Sequence, residues 1–90
     1  MTKLIWAQDS WEEYLFLLEH DKRAVKKINE FIKELRRSGK PDQGTGKPEA
    51  LKGELSGFWS KRINEKDRLV YCFEDGCLVI IQCRSHYNDK

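Results

Sequence analysis

Three residues in the second half of this 90-residue chain have the types needed to cut a phosphodiester bond: Glu49, Arg68 and His86. A carboxylate can take a proton from an attacking hydroxyl. An imidazole, with a free pKa near 6.5, can give one to a leaving oxygen. A guanidinium suits the charge that builds on phosphorus between them, because its fork is planar and always charged. RNA carries its own nucleophile in the 2′-hydroxyl, so such a site requires neither a metal ion nor a nucleophilic side chain. On this pattern Glu49 is the expected base, Arg68 the clamp and His86 the acid. Lys47, Lys52 and Arg84 add positive charge nearby, and Trp59 and Tyr87 are candidates to stack on bases. Plainer roles stay open for the same residues. His86 can be an ordinary surface residue, Arg68 can pair with Asp67 or Glu65, and Glu49 can be a solvated loop carboxylate.

These residues act together only if the fold gathers them. Lys3–Trp6 reads as a short first strand. Ser10-Trp11-Glu12-Glu13 has the form of a capping box, and Trp11, Tyr14, Leu15 and Leu18 then follow as one apolar helical stripe. His20-Asp21 interrupts it, and Asp21 can cap a second helix that carries Ala24, Ile28, Phe31, Ile32 and Leu35 on one face. Gly39 and Pro41 end that helix. Residues 38–50 hold three Gly and two Pro, which forbids regular structure and predicts a functional or mobile loop.

The remainder reads as β: a strand over Leu55–Ile63 around Phe58 and Trp59, then Arg68–Phe73 and Cys77–Cys83 around Glu74-Asp75-Gly76. A three-residue turn closed by a G1 bulge would pair Phe73 with Cys77 and set Arg68, Gln82, Arg84 and His86 on one sheet face. A two-residue Asp-Gly turn would put Arg68 and His86 on opposite faces. Periodicity does not choose between them. The order of elements predicts one α+β domain over residues 1–90, with a strand and a two-helix hairpin packed on an antiparallel sheet.

Composition narrows the function classes. Hydrophobic residues make up 39%, charged residues 36% and aromatics 11%, which describes a folded, polar protein rather than a disordered one. No apolar run approaches the roughly 20 residues of a membrane helix, and the N-terminus, after Met1–Trp6, turns acidic too soon for a signal peptide. A cytoplasmic protein without membrane contact is expected. Cys72, Cys77 and Cys83 are odd in number and form no C-x-x-C pair, so reduced, buried thiols are expected. His20 and His86 are too few and too scattered for a metal site, and no cofactor is expected. The net charge of +2 is unevenly spread: residues 21–40 hold eight Lys or Arg against three acids. Lys22, Arg23, Lys26, Lys27, Arg36 and Arg37 would then face a polyanion or, equally, only water.

Taken together, the segments resemble a known family. Lys3-Leu4-Ile5-Trp6, Ser10–Tyr14, Asp21-Lys22-Arg23 and Lys26–Glu30 resemble the first half of YoeB toxins of the RelE/ParE superfamily. The second half is more specific: Gly46–Glu49, Leu51-Lys52, Leu55–Ser60, Arg62-Ile63, Asp67–Tyr71 and Cys83–Tyr87. The resemblance spans nearly the whole chain. It implies a RelE-like, microbial-ribonuclease-like fold, and an endoribonuclease that enters the ribosomal A site and cuts the bound messenger RNA. It implies a YefM-like antitoxin partner, a homodimer, and operator DNA contacted only through the antitoxin.

The family's base falls on Glu49, its phosphate-binding arginine on Arg68, its acid on His86 and its terminal tyrosine on Tyr87. Lys52 and Arg62 fall where the family keeps supporting cations, and the basic second helix becomes the expected ribosome contact. Two departures are visible. Asn88-Asp89-Lys90 continue past the His-Tyr pair, and Ala50 stands where a Pro is common. A gyrase-poisoning ParE-like toxin and a non-catalytic RNA-binding module are the rival expectations. The Glu49–Arg68–His86 set argues against the first, which does not need it; salt-sensitive RNA binding without cleavage would support the second.

Overall fold

The computed structural model describes residues 2–84. Strand β1 (Lys3–Trp6) leads into helices α1 (Gln8–His20) and α2 (Lys22–Ser38). A long loop then reaches the two-residue strand β2 (Glu49–Ala50), a single 3-10 turn (Gly53–Leu55), and strands β3 (Trp59–Arg62), β4 (Arg68–Glu74) and β5 (Cys77–Gln82). The strands form one sheet in the order β1-β5-β4-β3-β2. Every pairing is antiparallel except β1 with β5, which is parallel, so the α+β class expected holds with a mixed sheet.

Helix α2 follows its sequence. Asp21 accepts a hydrogen bond from the Ala24 backbone N–H at 3.1 Å, capping the helix, and Gly39 closes it in the left-handed conformation. Ala24, Ile28, Phe31, Ile32 and Leu35 are all buried, joined by Val25. They pack against Leu69, Tyr71, Leu78 and Ile80 of the sheet. Burying aliphatic side chains of this size is worth about 1.5–3 kcal/mol each, which makes this layer the main stabilising contact.

Helix α1 departs from expectation. It begins at Gln8 with Ala7 as its cap, so Ser10 lies inside it, not before it. Ser10 is fully buried, its hydroxyl within reach of the carbonyls of Ala7 (2.8 Å) and Ile80 (2.7 Å). Glu13 reaches away from the helix start and accepts from the Cys83 and Arg84 backbone N–H groups. Both residues of the supposed capping box therefore serve the end of β5. The predicted stripe also turns outward. Trp11, Leu15 and Leu18 are more than two-fifths exposed, while Ser10 and Leu17 face inward. Trp6 and Tyr14 sit between, their rings 4.8 Å apart, and the Tyr14 hydroxyl ties α1 to Asn29 of α2 at 2.7 Å.

The β4–β5 hairpin takes the shorter of the two turns the sequence leaves open. Glu74 pairs with Cys77, leaving two turn residues, Asp75 (φ 54°) and Gly76 (φ 75°), both with the positive φ of a type I′ turn. Further along, the register shifts: Tyr71 pairs with Ile80 but Val70 pairs with Gln82. The bulge at Ile81 adds one residue to β5 and reverses its facing. Gln82 consequently shares the face of Val70 and Arg68, the arrangement expected of the longer turn.

Candidate active site

Pairing and pleat decide which side chains share the face away from the helices. Arg62 pairs with Arg68 and Ser60 with Val70, while Glu49 pairs with Ser60. Directly opposed residues point the same way, so Glu49, Ser60, Arg62, Arg68 and Val70 form one face. The alternate residues, Lys61, Leu69 and Tyr71, point into the helix-covered core.

On the open face Arg68 Nη1 lies 3.8 Å from Glu49 Oε1. Both side chains keep solvent access, 30% and 65% respectively. An exposed pair of this kind contributes about 0–1 kcal/mol to stability, so holding the fold together is not its main effect. Two opposite charges stay together here, each open to a third group. Arg68 does not turn to Asp67, which is buried and receives a hydrogen bond from the Asn64 amide within the 63–67 turn. Ser60 lies beneath the pair, and its buried hydroxyl has no hydrogen-bond partner among the described residues.

The other expected site residues are distributed unevenly. Arg62 is exposed on the same face, beside Arg68. Lys47 and Lys52 are exposed on the segments flanking β2, Lys47 in a left-handed conformation at φ 53°. Trp59 points away from Glu49, because it pairs with Tyr71 and leans on the core. Arg84 is also drawn elsewhere: its guanidinium sits 4.0 Å above the Phe16 ring of α1. His86 and Tyr87, like the tail Asn88–Lys90, lie outside the described residues. On α2, Lys22, Arg23, Lys26, Lys27 and Arg37 are exposed. Arg23, Lys26 and Lys27 line a groove beside Asn64. Arg36 is half-buried and donates from Nε to the Thr2 carbonyl at 2.7 Å, which ties the N-terminal strand to the helix.

A second layer of residues, invisible to sequence reasoning, holds the loop that delivers Glu49. Lys61 is wholly buried; its ammonium donates to the Gln43 carbonyl at 2.7 Å and lies 3.5 Å from Glu34 Oε1. Glu34 accepts from the Thr45 backbone N–H (3.0 Å) and hydroxyl (3.1 Å). The Tyr71 hydroxyl donates to the Pro41 carbonyl at 2.6 Å, and the Arg62 N–H donates to the Gly46 carbonyl at 2.8 Å. Burial lowers the Lys61 pKa, against an opposing pull from Glu34. Partial burial would raise the Glu34 carboxyl, but the two Thr45 donors and the Lys61 charge outweigh it and hold it below the usual value. The alternation along β3 points Lys61 inward, yet only tertiary structure supplies its partners.

The three cysteines are free. Burial, reinforced by the charges of Glu13 and Asp67, pushes the Cys83 thiol up to about 12. Among the described residues, no helix is long and apolar enough to cross a membrane.

Comparison with known proteins bears on these features. Toxin YoeB of Escherichia coli (strain K12) is 59% identical over 85 residues, covering 94% of this chain and 99% of that protein. The fold is similar to that of the toxin in the YoeB-YefM complex from Staphylococcus aureus, with a TM-score of 0.87 and 39% identity over 97% of this chain and 99% of that one. It is similar also to the YoeB dimer from Staphylococcus aureus, with a TM-score of 0.86 and 41% identity over 96% and 98% of the two chains. The RelE-like α+β fold implied by the resemblance is thus the fold found. The family model for the YoeB-like toxin of bacterial type II toxin-antitoxin systems matches residues 6–87, and the chain belongs to that family.

Proposed function

We propose that this toxin is a metal-independent endoribonuclease that cuts messenger RNA in the ribosomal A site. The observation that carries this reading is the Glu49–Arg68 pair, 3.8 Å apart on the open sheet face with Arg62 alongside. A phosphodiester approaching that face meets a carboxylate beside two guanidiniums. Glu49 takes the proton from the 2′-hydroxyl as its oxygen attacks the adjacent phosphorus. Arg68, supported by Arg62, Lys47 and Lys52, stabilises the negative charge that develops on the phosphoryl oxygens. The bond to the 5′-oxygen breaks, and that oxygen takes a proton from His86. The products are a 2′,3′-cyclic phosphate and a free 5′-hydroxyl. Tyr87 holds the substrate beside His86; Trp59 and Arg84, which the core and Phe16 draw away, take part only if substrate binding reorients them.

The basic face of α2 gives a second support. Lys22, Arg23, Lys26, Lys27 and Arg37 make a surface matched to ribosomal RNA, to which half-buried Arg36 adds a further charge. The solved relatives, a complex with YefM and a dimer, suggest the partners: a YefM-like antitoxin that neutralises the chain, and a second copy of it. Operator DNA is then reached through the antitoxin alone. The protein works in the cytoplasm, where translating ribosomes are.

Primer extension on a translated messenger, with purified ribosomes, tests the proposal. Discrete ribosome-dependent cuts are expected from the wild type and none from His86→Ala. Blocked translation without cuts would overturn the nuclease reading in favour of simple occupation of the ribosome. Unaffected translation would favour a gyrase-directed toxin.

A further inference from the structure

Lys61 is a costly residue to place in a core, since lysines are almost never fully buried unless paired. Its side chain is 0% exposed and lies 5.3 Å from the centre of the Phe31 ring. A buried ion pair is often no more stabilising than a well-packed apolar replacement, so stability alone is a poor reason for it. What the bonds have in common is their destination. Lys61 binds the Gln43 carbonyl, and its partner Glu34 binds the Thr45 N–H and hydroxyl. Gly44 and Gly46 lie so close beneath that an added Cβ would stand 2.7 Å from Lys61 Nζ and from Phe31 Cζ respectively. The loop is therefore pressed against and bonded to this cluster up to Gly46. Glu49 follows three residues later, in a strand only two residues long.

We propose that Lys61 is a positioning residue: through Glu34 and the backbone of residues 43–46 it sets where the Glu49 carboxylate stands relative to Arg68. A two-residue strand offers little pairing of its own, so the anchored loop determines the approach of Glu49. Lys61 is also placed to couple the two halves of the site, because its β3 neighbours Ser60 and Arg62 pair with Glu49 and Arg68. This inference rests on Glu49 being the base.

The test is a double-mutant cycle on single-turnover cleavage by programmed ribosomes, using wild type, Lys61→Met, Glu49→Gln and the double variant. Lys61→Met keeps the length of the side chain and removes its charge. A base displaced by an ångström can lose roughly 100-fold in rate, and a loss of that order is expected for Lys61→Met. The half-saturating ribosome concentration should stay within about twofold, because no contact to the ribosome is removed. The double variant should be no slower than Glu49→Gln alone. Losses that multiply in the double variant, or wild-type cleavage by a cooperatively folded Lys61→Met, would overturn the proposal. Full activity of Glu49→Gln would instead remove the base assignment on which it rests, a separate and distinguishable failure. If Lys61→Met does not fold, Glu34→Ala, which deletes the acceptor for Thr45 at a partly exposed position, replaces it in the cycle with the same supporting and overturning outcomes.

Discussion

Replacing Gly46 with alanine tests whether the loop before Glu49 is pressed against the core. Gly46 has φ +92°, and a Cβ there would lie 2.7 and 2.8 Å from Cζ and Cε1 of Phe31 and 3.1 Å from Lys61 Cβ. Non-bonded carbons settle at about 3.5–4.0 Å, so the loop must retreat by roughly 1 Å. Phe31 is 1% exposed and held in the core, and cannot give way. Gly76, in the tight turn at the far end of β4 from Arg68, is the control: its φ is +75°, but nothing lies within 4 Å of its would-be Cβ. Both alanines carry the left-handed backbone penalty, about 1–2 kcal/mol. Gly46→Ala adds overpacking of about 1–3 kcal/mol. At about 4–8 °C per kcal/mol for a domain of this size, Gly76→Ala should lower the thermal midpoint by roughly 4–16 °C and Gly46→Ala by about twice as much. Thermal unfolding followed by circular dichroism reads the difference directly. Equal midpoints for the two variants would refute the reasoning, because only the contact with Phe31 and Lys61 separates them.

Three further outcomes follow from the same geometry. The Glu34 carboxyl is held below its usual value by Thr45 and Lys61; a depressed acid contributes stability above its unfolded pKa and loses it as pH falls through the folded one. The thermal midpoint of Glu34→Gln should therefore change less than that of the wild type between neutral pH and the acid side of the ordinary glutamate value of 4.5. Cys83, buried with its thiol pushed up to about 12, should resist iodoacetamide in the folded protein and react on unfolding, as mass spectrometry of the alkylated chain would show. Reversing the exposed Lys26 and Lys27 to Glu should weaken cosedimentation with ribosomes and make what remains less sensitive to added salt, because fewer counterions are released on binding, whereas unchanged sedimentation would leave that face merely solvated.

Local sequence determined more of this protein than its length suggests. The stripe of α2, its Asp21 cap and its Gly39 stop are contained in a few turns of chain, and each was found where periodicity and capping rules put it. The approximate extents of β1, β4 and β5 were legible for the same reason. Glu49, Arg62 and Arg68 were named from residue type and family pattern, and the sheet brings them onto one face. Other features depended on partners distant in the chain. Trp11, Leu15 and Leu18 have helical spacing whichever way α1 is turned; the demand of Ile80 for the Ser10 hydroxyl, and of Cys83 and Arg84 for Glu13, turns the helix so that they face out. The facing of Gln82 depends on one extra residue at Ile81, and period-two alternation carries no sign of a bulge before the strands are paired. Lys61 reads as an ordinary cation in sequence, because its partners, Gln43 and Glu34, come from a loop and a helix that only packing brings to β3.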